Sequence, residues 1–426
     1  MKKSNKKGFT IVELVIVIAV IAILAAVLIP TFSNLIKKAN ESSDIQAVRQ
    51  MNTILAAEGA VENNNIFEVF DALHESNLDA KDYKPLVSGH YFFWDDKADC
   101  IVYTDADYKV LFPKDYEKAA DANWFSLTQK IEAKKPADTN YADGVTVATG
   151  AELLYVLKDI EEKSTTAVIT VPADGIDMMG ASFGIDKITS NVTIQGANNQ
   201  KAVIKNAVGV DVSYRGQSGK NGDDGQYNTA LFPEVAAGAT LTIENVVFEN
   251  INVKNTHASN VALLVGNVYG GTVTINNVEI KNSTVIGHRN VGALIGNINT
   301  DSSVPNVLTH GKATIGNVTM TNVSVLTVGG RSALLVGMVF SEHAEKLTVN
   351  NPITLTNCKY DIYACEQNEN GNGLNKETGI ITSWAYDAEG TKETDKQYYF
   401  DANALASHYN EGIGEIANSY FEGKIN

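Results

Sequence analysis

Residues 8–30 read GFTIVELVIVIAVIAILAAVLIP, and this stretch determines how the chain is organised. No polar residue occurs from position 14 to position 29, and with residues 9–13 the apolar run reaches the ~20 residues that a helix needs to cross a bilayer. Glu13 carries the only charge in the run. A carboxylate without a partner costs several kcal/mol in hydrocarbon, so we expect Glu13 to face a cation.

The stretch resembles the N-terminus of type IV pilin and pseudopilin precursors. Those precursors share a basic leader, a Gly-Phe junction, a glutamate five residues into the mature chain and a proline near its twenty-second position. Gly8, Phe9, Glu13 and Pro30 match these features. The resemblance implies that a prepilin peptidase cleaves between Gly8 and Phe9 and methylates the new amine of Phe9. It also implies that Glu13 pairs with the Phe9 amine of a neighbouring subunit.

Two other kinds of N-terminal segment explain less of this pattern. An ordinary secretory signal has an apolar core of about 7 to 15 residues, shorter than the run seen here. An uncleaved membrane anchor accounts for the length but for neither the Gly8-Phe9 junction nor Glu13. The four lysines before the run outnumber Lys37 and Lys38 just after it, which predicts a cytoplasmic N-terminus and an external remainder.

The composition sets limits on the rest of the chain. With 426 residues and 44% hydrophobic content, the sequence is long and apolar enough for two or three domains with their own cores. The formal charge of -16 becomes -20 if the four leader lysines are removed, which argues against nucleic acid as a partner. The three cysteines are too few for a disulfide scaffold, and we predict one bond, between Cys358 and Cys365, the alternative being that both are buried as small apolar side chains.

The chain divides into six predicted segments. Apolar residues at helical spacing continue beyond Pro30, which we expect to kink or locally melt the helix. A short helix at 66–78 and three strands at 90–95, 100–105 and 109–113 predict a small head resembling that of a minimal pilin. The predicted boundaries are a leader (1–8), a long helix (9–58, with 9–29 spanning the membrane), the head (59–132), a linker (133–144), a repeat domain (145–366) and a C-terminal cap or tail (367–426).

A nonapeptide recurs in the second half of the chain. Residues 242–250 read TIENVVFEN, 274–282 read TINNVEIKN, 314–322 read TIGNVTMTN, and a fourth copy from Thr348 has one extra residue before Asn357. A second motif follows the first three copies, as VALLVGNV (261–268), VGALIGNI (291–298) and SALLVGMV (332–339). The nonapeptides start 32, 40 and 34 residues apart, and periods of this size indicate a stacked array.

Short strands rich in Val, Ile and Thr predict a right-handed parallel β-helix with one coil per repeat, so the whole chain is expected to be α+β with a mainly β second part. A β-sandwich is the alternative, although it does not require motifs at near-fixed spacing. The region resembles the pectin-lyase-like β-helix superfamily. We expect a helix that begins at the capping box Thr149-Gly150-Ala151-Glu152 to close one end of the stack. Two columns of residues are predicted at its corners, an asparagine ladder (Asn245, Asn277, Asn317) and a glycine column (Gly266, Gly296, Gly337).

The sequence offers little support for catalysis. Enzymes on β-helices use stacked carboxylates, but Glu244 aligns with Asn276 and Gly316, so no acidic column forms. The histidines have no metal-binding spacing, one acidic turn at 221–225 is a weak calcium signal, and we predict no metal and no cofactor.

We therefore expect a type IV pilin-like subunit, minor or at the tip, with a structural or adhesive role at the cell surface and no enzymatic activity. The large repeat domain favours a minor or tip position because such bulk would crowd a tightly packed filament. Expected partners are prepilin peptidase, other pilin subunits, the cytoplasmic membrane and a surface glycan or host ligand. The alternatives are a pseudopilin of a secretion system, a membrane-anchored surface protein that does not polymerise, and a carbohydrate-active enzyme carried on a pilus.

Overall fold

The structure is a computed structural model that describes residues 11–57, 65–79, 81–138, 140–210, 228–301, 303, 308–327, 331–339, 347–362 and 377–379. Its first element is the 47-residue helix α1 (Ile11–Ala57), about 70 Å long at 1.5 Å per residue. The predicted long helix is confirmed in this range. The predicted local melting at Pro30 is wrong, because the helix continues through it. Proline removes one backbone donor, and Thr31 adds a side-chain hydrogen bond to the Val27 carbonyl at 2.9 Å.

A small head follows α1. It contains a second helix and a four-stranded antiparallel sheet in the order β3-β2-β1-β4. The three predicted strands are present, and the sequence analysis missed the fourth, a three-residue strand without enough residues to show an alternating pattern. The elements are α2 (Ile66–Glu75), β1 (Tyr91–Asp95), β2 (Cys100–Thr104), β3 (Val110–Phe112) and β4 (Trp124–Ser126).

The head sheet is buried on both faces. Phe92 and Trp94 lie in one apolar cluster with Val48 of α1, whereas Phe93 lies in the cluster that fills the repeat region. Successive side chains of a strand point to opposite faces, so the sheet is held between α1 and the repeats. Residues 133–138 and 140–144 form neither helix nor strand, as the predicted linker requires, but they do not hold the head away from the repeats. The predicted domain boundaries stay predictions.

The region after residue 144 is mainly β. A helix, α3 (Gly150–Lys163), packs its apolar face on the first strands, and its N-cap Thr149 accepts a hydrogen bond from the Glu152 amide at 3.2 Å. The strands are β5 (Val145–Thr146), β6 (Ala167–Val171), β7 (Ile176–Asp177), β8 (Asn191–Gly196), β9 (Ala202–Lys205), β10 (Val208–Val210), β11 (Asn228–Thr229), β12 (Phe232–Val235), β13 (Thr240–Glu244), β14 (Val246–Glu249), β15 (Asn252–Asn255), β16 (Asn260–Ala262), β17 (Val265–Tyr269), β18 (Thr272–Gly287), β19 (Val291–Gly292), β20 (Ile295–Asp301), β21 (Thr309–His310), β22 (Lys312–Thr327), β23 (Arg331–Ala333), β24 (Val336–Val339), β25 (Leu347–Thr356), β26 (Lys359–Ile362) and β27 (Glu377–Gly379).

The repeats pair with one another in parallel and in register. Thr242 is opposite Thr274, Thr274 is opposite Thr314, and Thr314 is opposite Thr348, so the nonapeptides stack directly. The extra residue of the fourth copy forms a bulge, because the register shifts between Gly316 and Val318. The prediction of parallel stacked strands is confirmed. The β-sandwich alternative is wrong, because a sandwich pairs its strands antiparallel.

Alternate side chains of each repeat strand fill the interior. Leu241 and Ile243 of β13 are fully buried, and Ile243 is paired with Ile275, which in turn is paired with Ile315. Burying a large aliphatic side chain stabilises a fold by roughly 1.5 to 3 kcal/mol, and each repeat supplies several. The repeat region therefore builds its own core from its own residues.

Candidate assembly site

The first part of α1 has its apolar side chains exposed. Ile11 is 81% exposed and Ile29 is 68% exposed, and the first fully buried residue of the helix is Asp44. The helix is long and apolar enough to cross a membrane, and none of its most apolar 18-residue window is buried against the protein. A core helix would bury such a surface, so this part of α1 requires lipid or another protein around it.

The residues predicted for processing and assembly lie at the start of this helix. Gly8 and Phe9 are outside the described residues, and their cleavage and methylation stay predictions. Glu13 lies in the first turn of α1 on the exposed surface, and Pro30 lies within the same helix. Both positions are on the part of α1 that does not pack against the head, so a neighbouring subunit can reach them.

Asp44 holds the helix to the head. Its carboxylate accepts hydrogen bonds from the backbone amides of Leu86 at 2.7 Å and Val87 at 3.1 Å, and from the Tyr103 hydroxyl at 3.0 Å. Burial and the neighbouring Asp44 carboxylate raise the pKa of Tyr103, which keeps this hydroxyl protonated. The sequence analysis missed Asp44. The signal that could have found it is its helical spacing with Val48, Met51 and Leu55, which places its carboxylate on the buried face of the helix.

Side-chain contacts of Gln129 and Lys254 are among those that join the head to the repeats. The side-chain amide of Gln129 pairs with both backbone groups of Val210, donating to its carbonyl at 2.6 Å and accepting from its amide at 2.7 Å. Lys254 of β15 contacts Asp71 of α2 at 2.7 Å. The Gln129 side chain thus pairs with Val210 of β10 as the backbone of a neighbouring strand would.

Comparison with known proteins locates a family signal in this helix. The prokaryotic N-terminal methylation motif matches residues 3–29. A type IV major fimbrial protein FimA from Dichelobacter nodosus is 45% identical over 53 residues, which make up 12% of this chain and 34% of that protein. The type IV wide pilus major component PilA4 from Thermus thermophilus is 63% identical over 38 residues, 9% of this chain and 29% of that protein. No solved structure matches the chain.

The first part of this chain is similar to part of the type IV pilins. The methylation motif covers residues 3–29, here called the pilin-type segment, and the chain spans about a third of the length of the curated relatives it matches. The same 53 residues are 12% of this chain but 34% of the fimbrial protein, so this chain is nearly three times as long. This chain therefore has many more residues beyond the matched stretch than that relative has.

The repeat region attached to the pilin-type segment contains the predicted asparagine ladder. The amide of Asn277 donates to the side-chain carbonyl of Asn245 at 2.6 Å, and Asn317 donates to Asn277 at 2.9 Å. All three have positive φ, between 50° and 56°, which asparagine tolerates better than most residues. The ladder thus combines a sharp corner with bonds between successive coils.

Two further ladders were not predicted. Their positions were visible in the sequence, since one is the last residue of the nonapeptide and the other directly precedes the second motif, but no role had been assigned to either column. The amide pairs are Asn250 to Asn206, Asn322 to Asn282 and Asn357 to Asn322 in one ladder, and Asn260 to Asn228 and Asn290 to Asn260 in the other.

The predicted glycine column lies where two strands of one coil meet at a tight corner. A Cβ atom added to Gly296 would lie 2.6 Å from the Gly266 carbonyl oxygen, and one added to Gly337 would lie 2.6 Å from the Gly296 carbonyl oxygen. Real Cβ atoms do not approach so closely, so these positions require glycine. The repeating VGN and IGN triplets are explained by this close stacking.

The remaining predicted features concern cysteines and metals. Cys358 is buried, with its sulfur 3.5 Å from the Met320 carbonyl, and Cys365 lies outside the described residues, so their bond stays a prediction. The acidic turn at 221–225 is also outside the described residues. In the part of the chain that the structure describes, no three His, Cys, Asp or Glu side chains group as metal ligands.

Proposed function

We propose that this protein is a minor or tip subunit of a type IV pilus-like filament and displays its repeat region, a right-handed parallel β-helix, outside the cell. The observation that carries the proposal is the exposed apolar half of α1, which bears the methylation motif and leads directly into a head fixed on the repeats. The role is structural or adhesive. Before assembly the subunit is a single-pass membrane protein with a cytoplasmic N-terminus, and afterwards it belongs to a surface filament.

Assembly rests on the pilin-type segment. Prepilin peptidase removes residues 1–8 and methylates Phe9, and the Glu13 carboxylate then pairs with the Phe9 amine of the adjacent subunit. In a bundle of such helices the exposed Ile, Val and Leu side chains are covered by neighbours instead of lipid. An ion pair in hydrocarbon sets the axial register, since a shifted helix would leave both charges without partners.

The repeat region supports a minor or tip position. The head sheet is covered by α1 on one face and by the repeats on the other, so the repeats extend the subunit sideways from the filament axis. A subunit of this width repeated at every position would collide with its neighbours. At the tip, or at sparse positions along the filament, the same width is harmless and presents the repeats to the surroundings.

The outward columns of the repeats support display without catalysis. Glu244 is paired with Asn276, which is paired with Gly316, and Glu249 is paired with Lys281. A polysaccharide-cleaving β-helix needs carboxylates that stack at one place, and these columns change from acidic to neutral or basic between coils.

Two measurements on surface material test the proposal. Shearing the cells and separating filaments by centrifugation should bring this protein down with the major subunit, at low stoichiometry. Mass spectrometry of its N-terminal peptide should find N-methylated Phe9. Recovery of the protein only in the cell membrane would support an anchored protein that does not polymerise. An unprocessed N-terminus from Met1 would contradict the pilin assignment altogether.

Two other candidates remain testable. A pseudopilin of a secretion system shares the same processing, and it would be found in a short periplasmic or envelope structure with loss of secretion when the gene is deleted. A carbohydrate-active enzyme would release unsaturated or reducing ends from an acidic polysaccharide.

A further inference from the structure

A polar contact between the head and the repeats brings an amine to a side-chain amide. Asn123 lies in the head, directly before β4, and Lys205 is the last residue of β9 in the repeats. The Lys205 Nζ lies 3.4 Å from the Asn123 Oδ1, although the two positions are 82 residues apart in the chain. The Asn206 Nδ2 donates to the same oxygen at 3.0 Å. One carboxamide therefore receives two donors from the repeats.

The Asn123 carboxamide is fixed on the head side by Asp96. The Asp96 carboxylate accepts from the Asn123 backbone amide at 2.8 Å and from its Nδ2 at 2.9 Å, and the Asp96 amide donates to the Asn123 carbonyl at 3.2 Å. Asp96 is buried, which limits competition by water for these bonds. The nitrogen of the carboxamide therefore faces Asp96, and its oxygen faces the repeats.

The amine is held on the repeat side by Asp177 of β7. The Asp177 Oδ2 lies 3.4 Å from the Lys205 Nζ. The Asp177 Oδ1 accepts from the Asn206 Nδ2 at 3.0 Å and from the Met179 amide at 2.8 Å. One carboxylate thus positions both the amine and the amide donor. The Lys205 side chain is 41% exposed, so its end is free to rotate and water reaches it.

These side chains provide the groups that amide transfer requires. A lysine amine is a nucleophile once it is deprotonated, and a neighbouring carboxylate can accept its proton. An N–H donor aimed at the carbonyl oxygen stabilises the negative charge that develops there, which is the position of Asn206. The carbonyl carbon is about 1.2 Å from its oxygen. Rotation of the lysine end therefore brings Nζ within the ~3 to 3.5 Å from which attack proceeds.

We propose that the folded protein forms a covalent amide bond between the Lys205 Nζ and the Asn123 Cγ. The Lys205 ammonium gives a proton to Asp177, and the neutral amine attacks Cγ. The bond from Cγ to Nδ2 then breaks, and Nδ2 leaves as ammonia with one hydrogen from the attacking amine. Ammonia takes the proton back from Asp177 and diffuses away as ammonium. An ammonium and a carboxamide thus become a secondary amide and a free ammonium ion, without oxidant or other reactant.

The bond would fasten the head to the repeats at a joint that otherwise depends on noncovalent contacts. Because it connects positions 82 residues apart, it closes a long loop and restricts the unfolded chain as a disulfide would. In a displayed subunit it would keep the repeats attached when they are pulled. This modification goes beyond the filament role and stands whether or not the subunit polymerises.

Mass spectrometry of the purified, folded full chain tests the proposal. After denaturation, most wild-type molecules should weigh less than the sequence requires by the mass of one ammonia, because the bond is covalent. A cyclic imide formed at an asparagine loses the same mass, so peptide mapping must follow. Tryptic digestion should yield a branched peptide that contains both Asn123 and Lys205.

Three variants locate the reaction. Lys205→Arg keeps the positive charge but has no amine that can attack, so the loss of ammonia should disappear. Asp177→Asn removes the proton acceptor and should slow bond formation after refolding at least about tenfold. The matched control is Lys201→Arg, because Lys201 directly precedes β9 but contacts Glu279 at 3.8 Å, and its loss of ammonia should equal that of wild type. Circular dichroism of Lys205→Arg should match wild type, which separates a missing bond from a failure to fold.

Several results would overturn the proposal. A folded wild-type protein with the full mass of its sequence would show that no bond forms. A loss of ammonia that maps to a cyclic imide, or a branched peptide that joins Asn123 to another lysine, would assign the mass change to a different reaction. Persistence of the loss in the Lys205→Arg protein would place it elsewhere on the chain. Equal rates for Asp177→Asn and wild type would contradict the role of Asp177 as the proton acceptor.

Discussion

The first half of α1 and the repeat region are built on opposite principles. In the helix, Ile21 is 59% exposed and its apolar neighbours are exposed with it, so the segment has no core of its own. In the repeats, Ile280 is fully buried and is paired with Phe248 on one side and Met320 on the other. The helix completes its packing only in lipid or against other subunits, whereas the repeats complete theirs within one chain. In the proposed filament, assembly would therefore depend on the helix, and the repeats would be displayed without altering it.

The largest expected effect comes from the single charge of the exposed helix. Glu13→Val should leave membrane insertion intact or improve it, because the substitution removes a charge from the apolar run. It should lower incorporation into sheared filaments about 100-fold, since the neighbouring Phe9 amine would lose a partner worth roughly 3 kcal/mol in hydrocarbon. Quantitative immunoblotting of sheared filaments and of membranes measures the two quantities separately.

The matched control for that experiment is Glu41→Gln. Glu41 lies on the same helix but beyond the apolar run, and its contact with Lys37 is a 4.0 Å ion pair at the surface. This variant should enter filaments as wild type does. If Glu13→Val enters filaments equally well, the pairing role of Glu13 is wrong and the helix assembles by apolar packing alone.

A second pair of variants compares the two regions by stability. Ile280→Ala should lower the free energy of unfolding of the repeats by about 2 to 5 kcal/mol, because it leaves a cavity in a fully packed interior. Ile21→Ala removes the same atoms from an exposed site and should change that free energy by less than about 0.5 kcal/mol. Urea unfolding in detergent, followed by β-sheet circular dichroism, measures both. A large effect of Ile21→Ala would show that the helix folds back onto the repeats.

Much of this contrast could be predicted from the sequence. The apolar run with its single glutamate identified the exposed helix, and the nonapeptide spacing identified the stacked strands and the extra residue of the fourth copy, which the structure places in a bulge. The nonapeptides recur at near-fixed spacing, and the apolar run is unusually long, so both features stand out from an average sequence. The asparagine corner was predictable for the same reason, since the motif places it at a fixed position in each coil.

The contacts between the head and the repeats could not be predicted in this way. Gln129 pairs with Val210, 81 residues later, and Lys254 pairs with Asp71, 183 residues earlier. Each is a single contact without repetition, and neither residue type is unusual at a protein surface. Contacts of this kind become visible only after the chain has been folded.

A third prediction concerns Asp44, where the exposed and buried parts of α1 meet. Asp44→Ala should lower the free energy of unfolding of the head by about 3 kcal/mol, because the Leu86 and Val87 amides and the Tyr103 hydroxyl lose their acceptor. Tyr103→Phe removes one of the three donors and should cost only about 1 kcal/mol. Guanidinium unfolding followed by the fluorescence of Trp94 and Trp124 reports on the head. If both variants cost the same, Asp44 does not hold the helix to the head through its two amide bonds.

The smallest expected effect concerns the asparagine ladder that joins successive coils of the repeats. Asn277 has φ of 53° and bonds to the asparagines of both adjacent coils. Asn277→Ala should cost about 2 kcal/mol, because alanine is strained in the left-handed region and has no amide to continue the ladder. Asn277→Gly removes the ladder without the strain and should cost about 1 kcal/mol. The neighbouring Asn276, which is exposed in the strand, is the control, and its change to alanine should stay within about 0.5 kcal/mol. Urea unfolding of the three variants separates the two contributions. If glycine is as stable as asparagine, the corner geometry alone selects asparagine, and the amide ladder adds nothing to the cohesion between coils.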